Sequence, residues 1–144
     1  MRSRILLPFT VIGLATLAGC GGPSVEPVRG QVKIADGSSV AAVANGHVEL
    51  ESTANKQVRA SGKINTEGQF EVQSQIDGKL LKGALPGSYR ARVIPPQGGD
   101  DTDTPRPANA PRVARKFQDF ETSGLTVEVP AKENVTLTIE TVKR

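Results

Sequence analysis

The sequence predicts an all-β domain built as an antiparallel sandwich, behind a short apolar leader. Seven or so short segments alternate between apolar and polar residues, which is the pattern of strands with one buried face. The 144 residues include 15 glycines and 10 prolines, which supply the turns between such strands. No segment keeps apolar residues at helical spacing for more than a turn or two. The length suits one domain.

The first 19 residues are typical of a secretory signal peptide, a helix that is removed from the mature protein. Arg2 and Arg4 form a short basic start, and an apolar run from Ile5 to Ala18 follows. The run is too short to cross a membrane as a helix, which takes about 20 apolar residues. It therefore predicts export followed by cleavage.

The leader ends in Leu17-Ala18-Gly19-Cys20, which holds the only cysteine of the chain. This pattern resembles the lipobox of bacterial lipoproteins. The resemblance implies that a signal peptidase recognises residues 17–19, cuts before Cys20 and leaves the thiol carrying diacylglycerol. Two or three acyl chains such as palmitate hold a protein firmly, because each buried CH₂ contributes about 0.8 kcal/mol. The alternative is an ordinary signal peptide with an incidental cysteine.

The mature protein is expected in the cell envelope, anchored to a membrane and facing the periplasm or the cell exterior. Residues 20–27 predict a flexible tether, because glycine and proline follow the cysteine directly. Residues 28–142 predict the folded domain. The lipidated Cys20 is thus the expected link between the domain and the membrane.

The first half of the domain predicts a run of short strands. Apolar and polar side chains alternate in each, as Val32 and Ile34 do with their neighbours in the first. Val48 and Leu50 face inward in the second. Strands and extended segments are expected over residues 28–34, 47–51, 57–60, 63–65 and 69–72.

The second half predicts a loop, a long strand, a second loop and a final hairpin. The Pro86-Gly87 turn indicates a loop over residues 80–87, and a strand follows over 88–94. Residues 95–111 contain five of the ten prolines and almost no apolar residue, which predicts a mobile loop. Phe117 and Phe120 then supply apolar anchors. Residues 125–129 and 135–140 alternate and predict a terminal antiparallel hairpin.

Several motifs follow one another along the mature chain. Gly68 and Phe70 match a Thr-Asp-x-x-Gly-x-Phe turn, and Gly83, Gly87 and Tyr89 match a Gly-Ala-x-x-Gly-x-Tyr motif. With these motifs, the stretches 28–32, 65–70, 83–89, 116–117 and 122–129 in this order resemble small bacterial lipoproteins of the planctomycete type with a transthyretin-like or carboxypeptidase regulatory-like domain. The resemblance implies an antiparallel, seven-stranded, prealbumin-like (immunoglobulin-like) sandwich. It implies no catalytic residue.

The charge balance excludes a nucleic-acid-binding surface. The chain has 18 basic and 15 acidic residues, and the leader holds two of the basic ones, which leaves the mature part at a net charge of +1. In the mature part, Lys and Arg residues do not cluster on a helix, as many nucleic-acid-binding proteins require. A single cysteine also excludes an internal disulfide framework.

His47 is the only histidine, so a Ser-His-Asp or Cys-His site would need it as the general base. Because its neighbours Val48 and Leu50 face inward, we expect His47 to point to solvent beside Glu49. The pattern of a solvated strand residue fits better than that of a catalytic base, and no catalytic residue is predicted. Asn134-Val135-Thr136 matches a glycosylation sequon, which we interpret as a turn that enters a strand.

Asp100, Asp101 and Asp103 raise the question of a calcium site. Calcium takes six or more oxygen ligands on a defined turn, and here three carboxylates stand in a proline-rich loop. We therefore expect a solvated acidic loop, with neither a metal nor a cofactor.

Three functions remain in order of support. The first is a lipid-anchored, non-catalytic module with a structural role or an envelope protein as its partner. The second is a small-ligand or glycan binder, which exposure of Phe117 or Phe120 would favour and their burial would disfavour. The third is a hydrolase. The transthyretin-like hydroxyisourate hydrolases have several histidines and a Tyr-Arg-Gly-Ser-type C-terminus, whereas this chain has one histidine and ends at Arg144.

Overall fold

The computed structural model describes residues 22–97 and 110–143 of the chain. These residues form eleven strands and two short 3₁₀ turns, without an α-helix, and they confirm the prediction of an all-β protein. The 3₁₀ turns are Val40–Ala42 and Arg115–Gln118. The strands are β1 Arg29–Ile34, β2 His47–Ser52, β3 Arg59–Lys63, β4 Gln69–Glu71, β5 Gln73–Ile76, β6 Lys79–Lys82, β7 Gly87–Ile94, β8 Arg112–Val113, β9 Leu125–Val129, β10 Val135–Ile139 and β11 Thr141–Val142.

The strands lie in sheets of six, three and two, so the domain has more strands than the seven predicted. The six-stranded sheet has the order β6-β5-β3-β2-β7-β9, and all its pairs are antiparallel. The three-stranded sheet has the order β10-β1-β4, in which β1 pairs with β4 antiparallel and with β10 parallel. β8 and β11 form a separate antiparallel pair.

The two larger sheets share one hydrophobic core, to which the inward faces of their strands contribute. Alternation predicted these faces correctly, and the buried set includes Val32, Ile34, Val48, Leu50, Tyr89, Ala91, Val93, Leu137 and Ile139. The Tyr89 ring is buried, and its hydroxyl donates a 2.8 Å hydrogen bond to the Leu85 carbonyl. This bond provides the partner that a buried phenol needs.

A hairpin made of β5 and β6 replaces part of the predicted loop over residues 80–87. Asp77 and Gly78 connect the two strands with φ of 51° and 75°. Positive φ at both central positions is the geometry of a type I′ turn, for which Asp-Gly is a preferred pair. The loop prediction was wrong for residues 80–82, because it relied on Pro86-Gly87 and passed over the stronger Asp-Gly signal.

The predicted terminal hairpin is also wrong, because β9 and β10 belong to different sheets. β9 pairs with β7, so that Val127 lies opposite Tyr89, whereas β10 runs parallel to β1, with Leu137 opposite Val32. Residues 130–134 carry the chain from one sheet to the other. Alternation had identified the buried face of each strand, but both arrangements bury the same face.

The chain joins the folded domain at Glu26, within the segment predicted as a tether. Its backbone N–H donates to the Ala84 carbonyl at 2.8 Å, and the Ala84 N–H donates to the Glu26 carbonyl at 3.0 Å. Val28 is then fully buried. A short stretch of chain therefore connects this pairing to Cys20.

Candidate functional site

The structure places His47 at the start of β2, where its side chain is exposed as predicted. Its register partners on the neighbouring strands are Lys63 and Ile94. Within residues 22–97 and 110–143, no hydrogen bond or ion pair involves its imidazole. A general base in a catalytic triad is oriented by a hydrogen-bonded carboxylate, and here Glu49 is instead bound to Arg92.

The predicted lipidation site and the acidic loop lie outside the described residues. These positions are Leu17, Ala18, Gly19, Cys20, Asp100, Asp101 and Asp103. Across the described part of the chain, no group of three or more His, Cys, Asp or Glu side chains could hold a metal ion. Asn134 is exposed in the segment that precedes β10.

An open groove of about 500 Å³ lies along the outer side of β1 and β4. Its lining is mostly polar and comprises Arg29, Gly30, Gln31, Lys63, Asn65, Gln69, Phe70, Glu71 and Asn134. Alternation on β1 and β4 turns Arg29, Gln31, Gln69 and Glu71 outward, opposite the buried Val32 and Phe70. Sheet pairing then brings the two outward rows side by side.

Hydrogen bonds hold several groove side chains in place. Arg29 donates through Nε and Nη2 to Glu71 Oε1, at 3.2 and 3.1 Å. Asn65 Oδ1 accepts from the backbone N–H groups of Glu67 and Gln69 at 2.9 and 2.8 Å, which fixes the turn before β4. Lys63 makes no ion pair in the part of the chain that the structure describes. The groove can therefore offer a cation and amides to a polar ligand.

A second cluster, which we call the ion-pair face, lies on the outer side of the six-stranded sheet. Its ion pairs are Glu49–Arg92, Glu51–Arg59, Arg90–Glu121 and Lys56–Glu121. Glu51 is only 5% exposed, and a buried carboxylate requires a hydrogen-bonding partner. Arg59 supplies that partner.

Phe120 packs on the ion-pair face rather than in the core. The guanidinium carbons of Arg92 and Arg59 lie 4.5 and 5.6 Å from its ring centroid, which is cation–π geometry. Phe120 and Phe117 are 8% and 6% exposed. Neither ring offers the flat exposed surface on which a sugar stacks, so their burial disfavours the glycan-binding alternative.

The two cations beside Glu121 stabilise its charged form. A hydrogen bond from Lys56 at 3.0 Å is the largest cause, and the nearby charge of Arg90 adds to it. Together they hold the pKa of the Glu121 carboxyl below its ordinary value of 4.5. This carboxylate therefore links the segment before β9 to both β7 and the loop before β3.

Replacing Glu121 by glutamine is expected to make the folded state less sensitive to acid. Because the pKa is lower in the folded than in the unfolded chain, the ionised carboxylate stabilises the fold fully above 4.5. That contribution is lost as the pH falls through the lowered folded-state pKa. Urea unfolding below pH 4.5 should show wild type losing slightly more stability than Glu121→Gln, because solvent screens exposed ion pairs.

The control for this measurement is Glu133→Gln, at an exposed carboxylate that makes no ion pair among the described residues. Its acid profile should match that of wild type. Equal losses of stability in wild type and Glu121→Gln would contradict the assigned role of the two cations.

Sequence reasoning did not anticipate the groove or the ion-pair face. Arg29 and Glu71, like Glu49 and Arg92, are far apart in the chain and meet only through strand register. The available signal was the run of charges at outward positions of β2 and β7. Such a run is equally typical of a solvated face, so it did not identify the pairs.

Searches of protein-family models, of curated proteins and of solved structures find no significant match to this chain. None of the helical turns in the described ranges has the length and apolar character needed to cross a membrane.

Proposed function

We propose that this chain is a lipid-anchored lipoprotein of the cell envelope whose β domain acts by contact rather than by catalysis. The observation that carries the proposal is Leu17-Ala18-Gly19-Cys20 at the end of an apolar run. A thiol at that position is the acceptor that lipidation requires, and the chain holds no other cysteine. The domain then belongs on the periplasmic or external side of a membrane.

We assign the domain to the transthyretin-like or carboxypeptidase regulatory-like type, with a prealbumin-like sandwich as its core architecture. Two facing sheets with one common core support this assignment. In such an arrangement, the strands of the smaller sheet and the central strands of the larger one form the sandwich. The β5–β6 hairpin extends the larger sheet at its edge.

The exposed position of His47 and the chemistry of the groove favour a contact function over hydrolysis. The single carboxylate among the groove residues, Glu71, is already engaged in an ion pair with Arg29. Preformed ion pairs and amides can instead present a fixed pattern of charge and hydrogen-bond donors to a partner.

A small-ligand-binding role is the second candidate, and the groove is the observation that favours it. A volume of about 500 Å³ suits a small molecule, and Lys63 is available for a polar or anionic group. The open shape and the polar lining favour a weakly held ligand.

Chemical crosslinking of the intact lipoprotein in its own cells tests the contact function. We expect a discrete adduct with one envelope protein, because a contact module must touch its partner at the membrane. The same adduct should be lost when Cys20→Ser removes the anchor. Recovery of monomer alone from wild-type cells would overturn the interaction role.

A further inference from the structure

The β5–β6 hairpin carries the most exposed large apolar side chain among the described residues. Leu80 is 68% exposed, and Leu81 beside it is half-buried. Lys79 and Lys82 flank this pair, and both are exposed. Neither lysine makes an ion pair in the described ranges. β6 is also the edge of its sheet, so no other strand of the described residues covers its outer side.

Strand register places the tip of this hairpin at one end of the domain. Leu50 pairs with Ala60 and with Ala91, and Ala60 pairs with Ser74. These residues lie side by side across the sheet. Following β5 from Ser74 to the Asp77–Gly78 turn leads to the same end of the sheet as following β7 backward from Ala91 to Gly87. We call this end, which also includes Val129 opposite Gly87, the anchor end.

The chain that leads to Cys20 leaves the domain toward the anchor end. Pro27, which follows the bridge between Glu26 and Ala84, borders the same pocket as residues 131–134. Those residues come directly after Val129 and Pro130, at the anchor end. The hairpin tip and the path to the lipid therefore share one side of the molecule.

The length of this connection limits how far the domain can stand from the bilayer. An extended chain covers at most about 3.6 Å per residue, so Cys20 lies within roughly 22 Å of Glu26. Leu80 precedes the Glu26 partner Ala84 by four residues, or about 13 Å along a strand. A lipid on Cys20 thus brings the hairpin within reach of the membrane surface.

We propose that the β5–β6 hairpin contacts the bilayer surface, with Leu80 in the interfacial layer and Lys79 and Lys82 against anionic headgroups. This inference rests on the lipid anchor of the proposed function. An apolar side chain between two unpaired cations matches the chemistry of that layer, where acyl chains meet anionic groups. The contact gives the domain a fixed orientation. The last residues of β1, β7 and β10 lie opposite the anchor end and are directed away from the membrane.

Depth-dependent quenching of a fluorophore tests this orientation. Leu80→Cys is introduced into the full lipoprotein, in which the acylated Cys20 offers no free thiol, and is labelled with an environment-sensitive dye. The protein is reconstituted into vesicles of phosphatidylethanolamine and phosphatidylglycerol that contain a spin-labelled lipid. Val142→Cys is the matched control, because Val142 is also exposed, at 53%, and follows β10 at the opposite end.

We expect a blue shift and a loss of emission at position 80, with little change at position 142. Equal quenching at both positions, or none at position 80, would overturn the proposed contact. A protein strand added to the β6 edge would give that second result, since it would shield Leu80 from lipid. Flotation of the vesicles distinguishes failure of the lipid anchor from failure of the hairpin contact. Protein that does not float with the vesicles contradicts the lipid anchor, and with it the contact. Protein that floats but shows no quenching at position 80 contradicts only the contact.

Discussion

Cys20→Ser is expected to abolish acylation and to release the protein from the membrane fraction. Serine lacks the thiol that receives diacylglycerol, so the lipoprotein peptidase loses its substrate and the leader stays attached or is cut inefficiently. Each lost CH₂ removes about 0.8 kcal/mol of membrane binding, so the loss of two or three chains removes the anchor. Metabolic labelling with a fatty acid, followed by gel electrophoresis and fractionation, measures both effects.

Ser24→Ala is the control for this experiment, because Ser24 lies close to Cys20 but has no part in the thiol chemistry. It should incorporate the fatty acid as wild type does. Normal acyl labelling of Cys20→Ser would disprove the lipoprotein assignment, and the ordinary signal peptide would then be the better interpretation of residues 1–19.

Gly62→Ala is expected to destabilise the folded domain by about 3 kcal/mol, through overpacking against backbone. A Cβ at Gly62 would lie 2.4 Å from the Glu71 carbonyl oxygen and 2.8 Å from its carbon. These are backbone atoms of the last residue of β4, which cannot turn aside as a side chain does. Separating the strands would disturb the buried Val72. Urea unfolding of the purified protein measures the loss.

Gly22→Ala adds the same methyl group where no atom lies within 4 Å, and it should leave the stability unchanged. A glycine-to-alanine change stabilises by about 0.4–1 kcal/mol only where folding fixes the residue in a conformation that alanine accepts, because it restricts the unfolded chain. Gly22 precedes the first backbone pairing among the described residues, at Glu26, so no such gain is expected there. Gly62→Ala therefore tests the sign as well as the size of the effect. Wild-type stability of Gly62→Ala would show that β3 and the end of β4 can move apart at little cost.

Period-two alternation predicted the buried faces well. Val32, Ile34, Val48, Leu50 and Tyr89 are all buried as expected, because a strand that covers a core must place every second side chain inside. The same pattern does not predict which strand pairs with which. Since β9 and β10 bury the same residues in either arrangement, the hairpin prediction had no means of detecting the crossing between sheets.

The candidate surfaces were predicted less well than the core. A charged side chain can be solvated at any outward position of a strand. The outward positions of Arg29 and Arg92 therefore do not predict which residues lie beside them. Register decides that Glu71 meets Arg29 and that Glu49 meets Arg92. The position of His47 was predicted, because it depends only on which face of one strand is buried.

Local signals in the sequence by themselves determined the all-β class and the inward face of each main strand, and they are the basis for predicting a leader and a Cys20 anchor. Each depends on residues adjacent in the chain: an apolar run that ends at a thiol, or an alternation of side chains. Only the tertiary structure decided the sheet order, the crossing at residues 130–134, the groove, the ion-pair face and the common end shared by Leu80 and the path to Cys20. These features depend on contacts between segments far apart in sequence, whose pairing free energy is a property of the whole packed core.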